Sequence, residues 1–348
     1  MNHPGNHIGG DGELVVENFI LVHFLASSAF CPDLKLTSGN QRSLGFPFRN
    51  LLLLALHTVA EDKNQNAPGQ PGYNIPAEGG EPTVIADTGG RPLGLHIAHD
   101  GRVLICDSHR GLLALDSTSG TLKVLVESVA GRRLKFCSNV TETPDGTIYF
   151  TESTSDFHFE HFTAPIVEAR GRGGLFRLDT DGTVTTLVDG LYFANGLTPT
   201  ANGSALVFAE TQARRLSKYW LAGPQAGSVT RLAVNLPGMP DNLSTGADGR
   251  IWTAMVTEVN AALEWMLPRA PIIRKVVWRL PDRLQPQIKP EVWAVAFDPD
   301  SGAPVAGLRT KHPDFGAVTG VVEAAGKLWM GTISFPVVAH VDLAATKL

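Results

Sequence analysis

A chain of 348 residues that is 43% hydrophobic and 18% charged can bury a sizeable core, in one large all-β domain or two ordinary ones, and lies outside the disordered class as a whole. A formal net charge of −5 without any block of like charges leaves no electrostatic footprint for nucleic acid or an anionic membrane, so neither is expected as a partner and a small molecule is. Three scattered cysteines, Cys31, Cys106 and Cys137, exclude a disulfide framework or a zinc cluster; a single Cys106–Cys137 bridge stands as the alternative to buried free thiols.

In chain order, the first segment of note is "VVENFILVHFLASSAF", Val15 to Phe30. It has the bulk of a signal-peptide core, but Glu17 and His23 interrupt it and no Lys or Arg precedes Lys35, which predicts a non-secretory, cytoplasmic chain. "LLLLAL" at Leu51 is far too short for the roughly 20 residues that span a bilayer. Residues 1–80 show little alternation and many breakers, and are expected to be a divergent N-terminal region, partly disordered or an incomplete first blade. Residues 81–348 change character. Short strands rich in Val, Ile, Leu and aromatic residues follow turn signals: "HDGRVLICD" at His99, "PDGTIYFTES" at Pro144, "TDGTVTTLVD" at Thr180, "ANGSALVFAE" at Ala201, "ADGRIWTAM" at Ala247 and "AAGKLWMGT" at Ala324. Most recur at roughly the length of a propeller blade, so the fold class predicted is an all-β, six-bladed β-propeller with a divergent or incomplete first blade. About five blades fit between Glu81 and the C-terminus, and the sixth must come from the first 80 residues. The longest interval, after Met255, reads as an insertion with a short helix near Asn260 to Leu267. Trp252, Trp293 and Trp329 sit in strand patterns and are expected in the core.

In a propeller, the loops entering the innermost strands converge on one mouth of the central channel. Three polar stretches share that place in the repeat, "FCSNVTETPDG", "YFANGLTPTANG" and "GMPDNLSTGADG", and carry Asn139, Asn195 and Asp241 about seven residues ahead of their hairpin turns. Singly, each is a turn former. Together they are amide and carboxylate oxygens of the kind calcium prefers, with magnesium and manganese as alternatives, and a metal so held can polarise a carbonyl and activate water for ester or lactone hydrolysis. Asp107 and His109 in "CDSHRGLL" are candidates for acid or base work or for a structural pair, and "HFEH" at His158 lacks a third ligand nearby. The sequons at Asn139, Asn202 and Asn242 match the glycosylation pattern, which needs a secretory route that the N-terminus does not supply.

These stretches, with "ADTGGRPLGL", "SKYWLAG" and "LPGMPDNLSTGADGRIW", resemble the gluconolactonase/regucalcin superfamily of six-bladed propellers, in its strictosidine synthase-like branch, over about three quarters of the chain. The resemblance implies a metal-dependent hydrolase of a lactone or ester, gluconolactonase- or arylesterase-like, with a divalent metal, Ca2+ first, at the channel mouth. It assigns the Asn of the Asn-Gly motif to Asn195 and the Asp of Pro-Asp-Asn to Asp241, both as metal ligands and catalytic residues, and sets Asn242 beside them. In the third blade Ser138-Asn139 stands where the family has Asn-Asp, so either Asn139 is the ligand or Ser138 occupies the site. The first-blade glutamate of the hydrolytic relatives has no motif here; Glu61 is the nearest candidate. Strictosidine synthase itself uses a last-blade glutamate, whose position falls on Thr319, so its condensation chemistry is not expected. The competing expectation is a propeller that binds a small molecule or a protein and has lost catalysis.

Overall fold

The six turn signals all form hairpins in which the glycine takes a left-handed conformation, with φ from +68° to +88° at Gly101, Gly146, Gly182, Gly203, Gly249 and Gly326. At Gly326 the preceding Ala325 is also left-handed, at φ 51°, as a two-residue turn requires. In the others an Asp or Asn side chain accepts a backbone N–H beyond the turn, as Asp145 does from Thr147 at 3.0 Å.

The computed structural model describes residues 15–18, 51–54, 71–76 and 83–344, apart from 270, 282–287 and 336. Strand β1 (Val15–Asn18) leads the chain. Strands β2 (Leu51–Leu54), β3 (Pro71–Pro76) and β4 (Thr83–Asp87) make a three-stranded antiparallel sheet. Four meanders of four strands follow. The first is β5 (Pro92–Ile97), β6 (Val103–Asp107), β7 (Gly111–Leu115) and β8 (Leu122–Val126), after which β9 (Ser128–Val129) and β10 (Arg132–Arg133) form a small hairpin. The second is β11 (Cys137–Glu142), β12 (Ile148–Glu152), β13 (Gly173–Leu178) and β14 (Val184–Leu191). The third is β15 (Ala194–Pro199), β16 (Ala205–Glu210), β17 (Arg215–Trp220) and β18 (Val229–Ala233). The fourth is β19 (Gly238–Thr245), β20 (Ile251–Glu258), β21 (Val292–Phe297) and β22 (Pro304–Thr310). A fifth sheet joins β23 (Val318–Ala324), β24 (Lys327–Thr332) and β25 (Val337–Asp342) to β1, which pairs antiparallel with β25 in the register Val15 to His340.

The described strands thus make five four-stranded blades, one fewer than the six expected, beside the three-stranded sheet. The first strands β5, β11, β15, β19 and β23 touch in succession, so they are the innermost strands around one axis. Between blades lies apolar packing: Leu104 and Leu112 meet Val140 and Phe150, and Trp252 meets Val321 and Met330. Trp252, Trp293 and Trp329 are all buried. Each of three successive second strands ends in a buried acid whose charge is fully engaged. Asp107 accepts from the Thr88 hydroxyl and the His109 N–H, Glu152 from Arg132 and the Lys135 N–H, and Glu210 from Arg215, Arg231 and the Tyr192 N–H.

Helices enter only as insertions. The expected helix is α2 (Ala261–Met266), capped by the Asn260 side chain, which accepts from the Ala262 and Leu263 N–H groups. Two more were not foreseen: α1 (Thr163–Glu168), between β12 and β13, and α3 (Pro271–Trp278), after α2. Among the described residues no helix is long and apolar enough to cross a membrane. Cys106 and Cys137 are buried free thiols with sulfurs 3.0 Å apart, and burial, then the neighbouring sulfur, raises the pKa of Cys137. Cys31 and Glu61 lie outside the described residues.

Candidate functional site

Each innermost strand carries a register shift near its start, between Pro92 and Leu95, Cys137 and Val140, Ala194 and Leu197, Pro240 and Leu243, and Val318 and Gly320. A bulge re-aims the side chain it displaces. The first residue of each bulge is Leu93, Ser138, Asn195, Asp241 or Thr319, and all five line one cavity of about 50 Å3 at the channel mouth. The five are therefore equivalent positions of one repeat.

This geometry decides between Ser138 and Asn139. Ser138 faces the cavity and donates to Asn195 Oδ1 at 3.2 Å. Asn139 does not line it. Its Nδ2 donates instead to Asn242 Oδ1 at 2.6 Å, and Asn242 Nδ2 donates to the Thr319 carbonyl at 2.7 Å, so the second bulge residues tie three blades together. Asn242 still contributes to the cavity wall. The signal was in the spacing: Ser138, Asn195 and Asp241 each stand seven residues before the Asp or Asn of their hairpin turn, at Asp145, Asn202 and Asp248, whereas Asn139 stands six before it.

Asn195 is fixed by its own amide, which donates to Thr211 Oγ1 at 3.1 Å, and that hydroxyl donates to the Pro240 carbonyl at 2.7 Å, one residue from Asp241. No cation among the described residues pairs with Asp241. Burial pushes its carboxyl up to about 7, against a smaller downward pull from its hydrogen bond with Asn195. The rest of the wall is apolar, from Leu93, Phe136, Phe159, Phe162, Phe193 and Ile333, and Phe136 meets Phe159 and Phe193 edge-on. Helices α1, α2 and α3 close over this wall, with Val167, Leu263, Met266, Ile273 and Val277 in the same apolar cluster.

Asp107 and His109 stand apart from the cavity. Asp107 is the structural acid of its blade, and the His109 ring bonds Glu160 at 2.6 Å and stacks on His158. His158 reaches the Ser108 carbonyl, and no group of three His, Cys, Asp or Glu side chains among the described residues could hold a metal. A larger cavity of about 990 Å3 opens at the other ends of the inner strands, but its buried acid, Glu142, is already bonded to His99. The uncompensated carboxyl is at the smaller cavity, and that is the candidate site.

A family model for strictosidine synthase matches residues 138–224, the stretch that runs from Ser138 through Asn195. Strictosidine synthase-like protein 4 of Arabidopsis thaliana is 30% identical over 259 residues, 74% of this chain and 68% of that protein. The chain belongs to the strictosidine synthase-like family. Strictosidine synthase-like protein 6 of the same plant is 36% identical over 194 residues, 55% of this chain, and the match spans only about half, 51%, of that relative. Among solved structures, a gluconolactonase of Xanthomonas campestris superposes with a TM-score of 0.56 at 18% identity, covering 79% of each chain, which shows a shared propeller fold. This strictosidine synthase-like chain has Thr319 where the resemblance places a glutamate, and the Thr319 side chain offers no carboxyl for condensation chemistry.

Proposed function

We propose that the channel mouth hydrolyses a lactone or ester, with Asp241, Asn195 and Ser138 as its polar centre. The observation that carries this reading is the Asp241 carboxyl, held near 7 with no cationic partner among the described residues and facing Asn195 and Ser138 in one cavity. Such a group is either an acid or base poised for neutral pH or a ligand for a cation.

The donors fit a hard divalent ion, calcium first: one carboxylate, one amide oxygen and one hydroxyl, all oxygen, with the charge of Asp241 otherwise unbalanced. Asp241 and Asn195 would hold it, with Ser138 assisting. A bound cation of this kind supplies Lewis-acid polarisation of a carbonyl and a more acidic water. A single carboxylate supports weak affinity. Asn195 is oriented by Thr211, so its oxygen stays turned to the cavity; Asp241 can take up or release a proton near neutrality. The cavity has room for about one or two small groups, the reacting carbonyl and a water, so the remainder of a substrate would lie on the phenylalanine wall. That wall favours an apolar acyl or aryl group over a sugar.

We read the three-stranded sheet β2–β3–β4 as the ring's sixth blade, short of one strand; its support is that β4 runs straight into β5 and β2 touches β5.

A panel of lactones and aryl esters, assayed with and without chelator, tests the function. Turnover that chelator removes and calcium restores is expected, and Asp241→Ala should lower it by at least ~100-fold. Background rates on every substrate would transfer the site to the competing reading, an inactive propeller that binds a small molecule, which the lone carboxylate favours.

A further inference from the structure

The three most exposed large apolar side chains among the described residues all belong to one insertion, the α2–α3 segment. Trp265 of α2 is 57% exposed, and Ile272 and Val276 of α3 are 63% and 55% exposed. Ile272 and Val276, four positions apart, share one stripe of α3, while Ile273 and Val277 turn inward to the apolar cluster at the channel mouth. A surface helix whose apolar arc is wider than the part it buries has a second partner to meet.

Charge says what that partner is. Between 259 and 281 the only acid is Glu264, which Arg214 already pairs at 2.9 Å. Beside the apolar stripe stand Lys275 and Arg279, with Arg269 just after α2, and no carboxylate among the described residues pairs with any of them. Arg269 lies instead over the Trp265 ring, at 3.8 Å. The chain's net charge of −5 therefore conceals a local basic surplus wrapped around exposed apolar groups. An aromatic and two aliphatic side chains ringed by Arg and Lys match a lipid interface with anionic headgroups: the apolar tips enter the acyl boundary and the cations stay at headgroup level.

We infer that the α2–α3 insertion is a peripheral docking surface for an anionic phospholipid membrane. It sets the outer stripe of α3 on the bilayer, while the adjoining Ile273 and Val277 of the same helix pack with the phenylalanines of the channel mouth. An apolar ligand could then pass from lipid to the phenylalanine wall without crossing bulk water. The docking does not depend on hydrolysis at Asp241, because binding is measured without turnover.

The test is co-sedimentation of the full chain with vesicles of phosphatidylcholine alone or with phosphatidylserine as roughly a third of the lipid. Wild-type protein should bind the anionic vesicles about tenfold more strongly, and raised salt should weaken that binding. Trp265→Ser with Ile272→Ser should lose binding by at least about tenfold. Lys275→Glu with Arg279→Glu, on exposed positions that leave the core intact, should remove the anionic preference. Unaltered circular dichroism and melting keep these losses from being unfolding. Binding to neither vesicle, equal binding to both, or full binding by both variants would overturn the inference. So would a wild-type dimer that the Trp265→Ser and Ile272→Ser pair makes monomeric, since the face would then belong to a second copy of this chain.

Discussion

Asp241 has a folded-state pKa of about 7 against an ordinary value of 3.8, and burial is the main cause. Between those pH values the folded protein retains a proton that the unfolded chain has released, so stability declines as pH rises from about 4 to about 7 and is level outside that window. The total is on the order of a few kcal/mol. Asp241→Asn should flatten this slope in thermal melts across the window, with its largest gain in Tm over wild type near neutral pH. Calcium should act in the opposite sense: binding requires the ionised carboxylate, so the Tm gain it confers should be larger at about pH 8 than at about pH 5, and absent in Asp241→Ala. An equal gain in that variant would place the ion elsewhere. At this scale the sequence was legible for Asn195 and Asp241, because a polar side chain recurring in one repeat phase marks the mouth of a ring. It misled at Asn139, since a one-residue bulge moves a side chain across the strand and counting to the nearest amide is off by that residue. The proton affinity of Asp241 was not legible at all, because it depends on how far the fold takes the carboxyl out of water.

The inner strands owe their close approach to glycines placed beside the site. A Cβ on Gly196 would stand 2.5 Å from the Asp241 carbonyl oxygen and 2.5 Å from the Leu243 nitrogen, and one on Gly94 would stand 2.6 Å from the Ser138 carbonyl oxygen. These obstacles are backbone and cannot swing aside. Gly196→Ala should therefore cost about 1–3 kcal/mol in urea unfolding and should weaken calcium binding, because it separates the strands that carry Asn195 and Asp241. An unchanged denaturation midpoint would show that the strands have slack. Among the elements, hairpins were readable because Asp-Gly and Asn-Gly force a local geometry, and α2 was readable from its Asn260 cap. Helix α3, "PIIRKVVW", was not. Its β-branched residues favour a strand locally, and only packing against the cluster of Met266 and Phe193 settles the matter. The short α1 carries no capping side chain to announce it.

For the molecule as a whole, the five four-stranded blades of the described residues, set around one axis, convert distant residues into neighbours; the resemblance predicted that propeller ring, but with six such blades. The composition of the first 80 residues gave no sign that one of their segments would complete the last blade. Strand β1 does so by pairing with β25 across positions more than 300 residues apart. Deleting residues through Asn18 should expose the edge of β25, lower stability by on the order of 2 kcal/mol and promote concentration-dependent aggregation, read by melting and light scattering. A truncated chain as stable and monodisperse as the full one would mean that the closure carries no load.

That pairing also sets a clock on biosynthesis. Ribosomes deliver β1 more than 300 residues before β25, so the blade they share is assembled only after the four blades between them have been made. The intermediate blades can form as they emerge, whereas the blade shared by β1 and β25 must wait for the last of its strands. A product that stops before Val337 would leave β1 without its mate, so this one pairing separates chains that have made β25 from those that have not, before either has met a substrate.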